Sequence, residues 1–130
     1  MTDPDNCPCG RGRYADCCGP FHAGRDQAAT AESLMRSRYS AFALGLTDYL
    51  WRTWHPRTRP ENVVIDASDS WSGLELLDVV GGEPDDQEGL VEFVAHFTDG
   101  GHVGRLQERS RFVRRAGRWM YLDGDAAVDG

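Results

Sequence analysis

The stretch Leu90–Val113, LVEFVAHFTDGGHVGRLQERSRFV, decides how the chain folds. In its first part Val91, Phe93, Ala95 and Phe97 fall on one side of an extended backbone, with Glu92 and His96 on the other. A period of two marks a half-buried strand, here Leu90–Thr98. Asp99-Gly100-Gly101 is a turn signal. His102–Val113 then returns as a long strand with Leu106, Glu108, Ser110 and Phe112 on one face. Downstream, Ala116-Gly117 is a second turn and Arg118–Asp123 a last strand. Gly124–Gly130 is small and acidic and is expected to fray. Upstream, the apolar-rich run Trp71–Val80 is closed by Gly81, Gly82 and Pro84 and reads as the first strand.

Ahead of the strands lie helices. Thr30 caps a helix expected over Ala31–Leu44, with Gly45 as its stop. A second helix is expected over Thr47–Trp54, with Thr47 as cap, Leu46 as staple residue and Pro56 as breaker. Pro60–Val64 reads as a further short helical turn. Helices followed by antiparallel strands define an α+β pattern. A curled sheet with helices on its inner face often leaves a cavity.

The chain has 130 residues, 14 basic and all arginine, against 21 acidic, for a formal net charge of −7. The absence of lysine excludes Schiff-base catalysis and a Walker-type phosphate loop. The acidic balance makes general nucleic-acid binding unlikely, because phosphate neutralisation needs basic surface. No apolar run reaches the roughly 18 residues of a membrane span. The N-terminus MTDPDNCPCG has no apolar leader core, so a cytoplasmic protein with reduced thiols is expected. Charge is segregated along the chain: Glu61–Asp99 holds many acidic residues and no arginine, whereas Arg105–Arg118 holds arginines against Glu108 alone. Cross-strand pairing between neighbouring strands is the simplest reading.

All four cysteines, Cys7, Cys9, Cys17 and Cys18, lie in CPCGRGRYADCCG. A bridge between adjacent Cys17 and Cys18 would be strained, and a reducing compartment disfavours it. Two close thiol pairs joined by a tight turn suit a tetrahedral Zn²⁺, and four thiolates fill its shell, so the site reads as structural. Gly10 and Gly12 let the backbone curl around the metal. Free thiols, with a redox role for Cys17-Cys18, are the alternative. His22 is a substitute ligand of lower rank.

One position breaks the helix pattern. Leu34, Met35, Ala41, Phe42 and Leu46 share an arc bordered by Tyr39, with Arg38 near its middle and Arg36, Ser37 and Ser40 outside it. A buried arginine needs a carboxylate or other acceptors. Glu108 is its best candidate partner and Glu92 the second. The pair is either a structural closure between helix and sheet or, with Tyr39, the polar floor of a ligand pocket. If the pocket is catalytic, His55 or His102 with Glu108 would form the acid–base pair. No two histidines have metal-ligand spacing, so each reads first as structural or solvated.

The cysteine segment resembles the SEC-C motif, Cys-Pro-Cys-Gly followed by Cys-Cys. Arg11 stands where serine is usual, and the spacer is one residue shorter than the common form. LMRSRYSAF (Leu34–Phe42), DYL (Asp48–Leu50), TWHP (Thr53–Pro56), ERSRF (Glu108–Phe112) and the final W-x-Y-x-D-G (Trp119–Gly124) are similar to the YchJ family of bacteria. That resemblance spans nearly the whole chain. It implies a SEC-C zinc motif over residues 1–25 and an NTF2-like cone-shaped roll over 26–130. It names no reaction. Two functions follow as expectations. One is an adaptor whose zinc knuckle, with Arg11, Arg13 and Tyr14 exposed on its spacer, docks on a protein partner. The other is a small hydrolase, isomerase or ligand binder using the cone pocket, which an open pocket floored by Arg38 and Glu108 would favour. NTF2-like domains often pair through the sheet, so a homodimer is also expected from the resemblance.

Overall fold

The computed structural model describes residues 6–65 and 69–129. A 3₁₀ turn at Tyr14–Asp16 leads into a short helix α1 (Gly19–His22), then α2 (Ala31–Leu44) and α3 (Thr47–Arg52). Four strands follow, β1 (Asp69–Gly81), β2 (Glu88–Asp99), β3 (His102–Arg115) and β4 (Arg118–Asp129). They form one antiparallel meander in the order β1-β2-β3-β4. Register shifts between Trp71 and Gly73, between Leu76 and Asp78, and between Arg111 and Phe112 interrupt the pairing. Such bulges increase local twist and curl a sheet around whatever packs on its concave side.

That side holds α2. Thr30 Oγ1 accepts the Ser33 amide at 3.1 Å, and Glu32 adds a negative charge to the first turn. Gly45 ends the helix in the left-handed conformation, as expected from its position. The buried cluster joins Leu34, Met35 and Tyr39 of α2 to Val91, Phe93 and Ala95 of β2, Phe112 of β3 and Trp119 of β4. The alternating face of Leu90–Thr98 is therefore the face that meets the helix. Helix α2 is also anchored at its start, where the Ala31 amide donates to Gly82 O at 3.0 Å.

Several expected boundaries move. α3 is capped at Leu46, with no side-chain cap from Thr47, and ends at Arg52 rather than Trp54. The cause is tertiary: the Tyr121 amide donates to Thr53 O at 2.9 Å, and the His55 amide donates to Tyr121 O at 2.8 Å. Trp54 thus forms a parallel bridge to β4. Leu46 lies beyond α2, and residues 60–64 bend without a helical turn. β1 begins two residues earlier than expected, at Asp69. β4 continues through Gly124 to Asp129 and pairs with β3, so residues 124–129, expected to fray, are strand, and Gly130 lies outside the described residues. Two acidic residues of β4 have partners there: Arg111 bonds Asp123, and reaches Asp125 at 3.1 Å. Arg109 bonds Asp78 and Glu92, each at 3.0 Å. The segregated charges thus meet across neighbouring strands. No helix among the described residues is long and apolar enough to cross a membrane.

Candidate metal centre and cone cavity

The N-terminal cysteines converge because the chain between them turns tightly. The Cys7 amide donates to Gly12 O at 2.7 Å and the Gly10 amide to Cys7 O at 2.9 Å. Gly10 sits at φ 82°, a conformation that glycine adopts without strain. The four Sγ atoms lie within 4.8 Å of one another. Cys9 and Cys17 are 3.5 Å apart, and Cys17–Cys18 and Cys18–Cys9 are each 3.9 Å apart. A tetrahedral thiolate site with metal–sulfur bonds of about 2.3 Å has edges of roughly 3.8 Å, so the donor set fits a metal.

Its surroundings are buried and polar in the right places. Cys7, Cys9 and Cys18 belong to the same buried cluster as Leu34 and Phe112. Ser40 Oγ lies 3.3 Å from both Cys7 Sγ and Cys18 Sγ. Four thiolates this close repel one another and need a cation to ionise together. Burial, with Cys9 and Cys7 beside it, pushes the Cys17 thiol up to about 12. Hydrogen bonding with Cys7 and Cys9, and then burial, pushes Cys18 up as well. Hydrogen bonds from Cys18 and Cys9 hold Cys7 down. A metal takes thiolates as ligands, so its binding would release thiol protons.

His22 is not positioned as a substitute ligand. Its Nε2 is 2.8 Å from Ser37 O, which only accepts, so Nε2 carries the proton. Burial holds the ring below its ordinary pKa, and the neutral Nδ1 then accepts from Tyr14 O–H at 2.6 Å. The same bond turns Tyr14 inward and leaves it half-buried, whereas Arg11 and Arg13 are exposed as expected. Ser37 and Ser40, which fall off the apolar arc, are fully buried. Ser37 bonds the Tyr49 hydroxyl at 2.7 Å, while Ser40 faces the cysteines. The only signal for this second buried face is that Ser37, Ser40 and Ala41 are all small. They let the cysteine turn and α3 approach the helix closely.

Between α2 and the sheet lies a cavity of about 220 Å³. Arg38, Tyr39 and Glu108 all line it, together with the aromatic walls Trp54, Trp71 and Tyr121. His55 and His102 do not. The chain after α3 holds His55 by its amide on Tyr121 O, and its Nδ1 accepts the Arg57 amide at 3.0 Å. His102 is exposed at the start of β3, opposite Asp99. The acid–base pair expected from these histidines and Glu108 therefore has no common site.

Arg38 and Glu108 line one cavity without forming the expected ion pair. Arg38 Nη1 donates to Leu50 O at 2.8 Å and to Thr53 Oγ1 at 2.7 Å. Its guanidinium also lies 4.7 Å from the Tyr121 ring centroid and 5.2 Å from that of Trp54. Burial pushes its pKa down to about 10, and the nearby tyrosines and Glu108 oppose that. The arginine remains charged at neutral pH. Glu108 instead accepts from Ser110 Oγ and from Tyr121 O–H, the latter at 3.1 Å. Glu92, the second-choice partner, is taken by Arg109 and by Gln107 Nε2 at 2.7 Å. Gly124 packs directly on the Glu108 carboxylate, where an added Cβ would come within 2.6 Å of Oε2.

Two features of the cavity wall escape sequence reasoning. Trp54 Nε1 and Trp71 Nε1 are buried donors without a hydrogen-bond partner among the described residues. Arg38 Nε and Nη2 make no hydrogen bond among the described residues, since both of its bonds use Nη1. Aromatic residues in a helix or strand pattern read as plain core, and nothing in the sequence distinguishes a satisfied indole from an orphaned one.

An NTF2-like roll of helices on an antiparallel sheet, with a four-cysteine cluster packed on its main helix, is the class of protein that this fold and site define. A family model described as YchJ, middle NTF2-like domain, matches residues 30–124. The chain belongs to the YchJ family, whose members include the UPF0225 proteins. It is 51% identical over 128 residues to a UPF0225 protein of Bordetella pertussis, with 95% of each chain covered. It is also 51% identical to one from Streptomyces coelicolor, over 92% of this chain and 94% of that one. Among solved structures, a SEC-C motif containing protein from Rhodopseudomonas palustris matches with a TM-score of 0.80 at 37% identity. That match covers 94% of this chain and 98% of the other. A SEC-C motif containing protein from Psychrobacter arcticus matches with a TM-score of 0.74 at 30% identity, covering 92% and 81%.

Proposed function

We propose that the protein is a small-ligand binder that uses the cone cavity, with a structural zinc ion held by Cys7, Cys9, Cys17 and Cys18. The observation that carries the reading is the cavity lining: a buried cation with unused donors in an aromatic enclosure that includes Trp54 and Trp71, whose indole N–H groups lack a partner among the described residues. A buried donor without a partner costs about 1–3 kcal/mol, which a ligand acceptor reaching it would recover. At about 220 Å³ the cavity falls below the roughly 300–1,000 Å³ of drug-sized sites. Its occupant is therefore a small aromatic body carrying a carbonyl or carboxylate. Binding is favoured over hydrolysis because Glu108 is already engaged by Ser110 and Tyr121, and no histidine lines the cavity.

Zinc is the metal that four thiolates with near-tetrahedral spacing suit best, and a filled thiolate shell leaves no position for substrate. Its role is to fasten the N-terminal turn to α2. Elemental analysis of the purified protein is expected to find about one zinc per chain.

Calorimetric titration with benzoate and with benzamide tests the cavity. Binding of at least one is expected, and Arg38→Met is expected to weaken benzoate roughly tenfold. That variant also loses the closest donor to Leu50 O, so a fall in stability of about 1–2 kcal/mol is expected beside it. Absence of binding by both probes to the folded wild-type protein would count against the reading.

A second reading, docking of an acidic protein partner on the knuckle, is supported by Arg11 and Arg13, exposed on the turn between the cysteine pairs. Pull-down with a Cys7→Ser, Cys9→Ser variant tests it, and partners retained without the metal would oppose it.

A further inference from the structure

Away from the cavity, the end of α3, the loop after it and the β3–β4 turn enclose an open groove of about 490 Å³. Arg52, Arg59, Arg115 and Arg118 line it, and among the described residues its lining contains no carboxylate. None of the four makes an ion pair among the described residues. This concentration of positive charge stands in a chain of net charge −7, where Arg109 and Arg111 of β3 have found acidic partners.

Its geometry is prepared. Arg52 Nη2 donates to His22 O at 2.9 Å and Phe21 O at 3.3 Å, and its guanidinium lies 4.9 Å from the Tyr49 ring centroid. The Arg59 guanidinium stacks 3.5 Å from the centroid of Trp51. These two are held by carbonyls and rings, not by counter-charges. Arg115 and Arg118 face each other directly across the Ala116-Gly117 turn. Like charges directly opposite on paired strands destabilise a hairpin. A hairpin that places two arginines there, with no carboxylate beside them, gives up stability for a positive field at the groove. Arg52 alone would be explained by the helix C-terminus it occupies, but the facing pair and Arg59 would not.

We propose that this groove binds a compact phosphoryl anion, of the phosphate monoester or diphosphate class. Guanidinium forks match phosphate oxygens in bidentate geometry, and four of them around one groove suit a doubly charged group better than a single carboxylate. The acidic character of the remaining chain opposes a long polyanion that would run beyond the groove.

The test is calorimetric titration of the full-length, metal-loaded protein with inorganic pyrophosphate at low and at high salt. Saturable binding at low salt, weakened by added salt, is expected. Arg115→Gln with Arg118→Gln is expected to weaken it roughly tenfold or more. An Arg11→Gln control on the cysteine turn is expected to leave it unchanged. Removing the facing like charges should leave thermal stability equal or higher, so loss of binding would not reflect loss of fold. No saturable binding by the wild-type protein would overturn the proposal, as would equal affinity in the double variant. Tighter binding of a single-stranded oligonucleotide than of pyrophosphate would also overturn it, assigning the groove to a polymer.

Discussion

Chelation of the metal, or Cys9→Ser, is expected to lower the melting temperature by roughly 10 °C or more and to release the N-terminal turn from the roll. The reason is the depth of the cluster. Cys7, Cys9 and Cys18 sit in the same buried set as Leu34, Met35 and Phe112, so a metal held by them would be fastened into the main core. Without it, several thiols remain close-packed beside Ser40 in an apolar setting. Structural zinc sites contribute about 10–16 kcal/mol of apparent binding free energy in small zinc-dependent peptides, and in a domain with its own core only part of that is at stake. Thermal unfolding with and without a chelator measures it. Hydrogen exchange of α2 amides should increase in the same experiment, because Ser37 and Ser40 face the knuckle and α3. An unchanged melting temperature after verified metal loss would show that the turn is only an appendage.

Gly82→Val is expected to cost about 3 kcal/mol or more, a fall of roughly 10 °C in melting temperature for a domain of this size. Gly82 has φ 72°, which a β-branched residue adopts only under strain. An added Cβ there would lie 2.6 Å from Ala31 Cβ. Gly82 O also accepts the Ala31 amide, and the Gly82 amide donates to Glu88 O at 3.0 Å. The position therefore joins the start of α2 to the β1–β2 connection, and the substitution would separate helix from sheet. Chemical denaturation of the variant gives the value directly. A loss below about 1 kcal/mol would mean that the junction relaxes without consequence.

Which features were legible in the sequence follows from whether their causes are local. α2 was readable to the residue because Thr30 and Gly45 act on their own neighbours. The β2–β3 hairpin was readable because its period and its turn residues lie within one continuous segment. The end of α3 was not, since it is set by Thr53 and His55 pairing with Tyr121, far along the chain. The length of β4 was missed for the same reason: Gly124–Asp129 is small and acidic by composition, but β3 supplies Arg111 as its partner. The cysteine cluster was legible from spacing alone. The environment that seals it was not, because two serines outside an apolar arc do not look buried. Arg38 lies in the interior, but its partners are a backbone carbonyl and a threonine hydroxyl. Matching charge to charge finds Glu108 and overlooks both.

Whether the cone is a binding site is reported most directly by the indole N–H resonances. The chain has four tryptophans, of which Trp54 and Trp71 line the cavity while Trp51 lies under Arg59 and Trp119 Nε1 is already bonded to Ala29 O at 3.0 Å. Titration of ¹⁵N-labelled, zinc-loaded protein with benzoate and benzamide is expected to move the Trp54 and Trp71 side-chain peaks in a saturable way while those of Trp51 and Trp119 stay in place. Four stationary peaks, or shifts confined to Trp51 and Trp119, would contradict the assignment of the cavity as a ligand site.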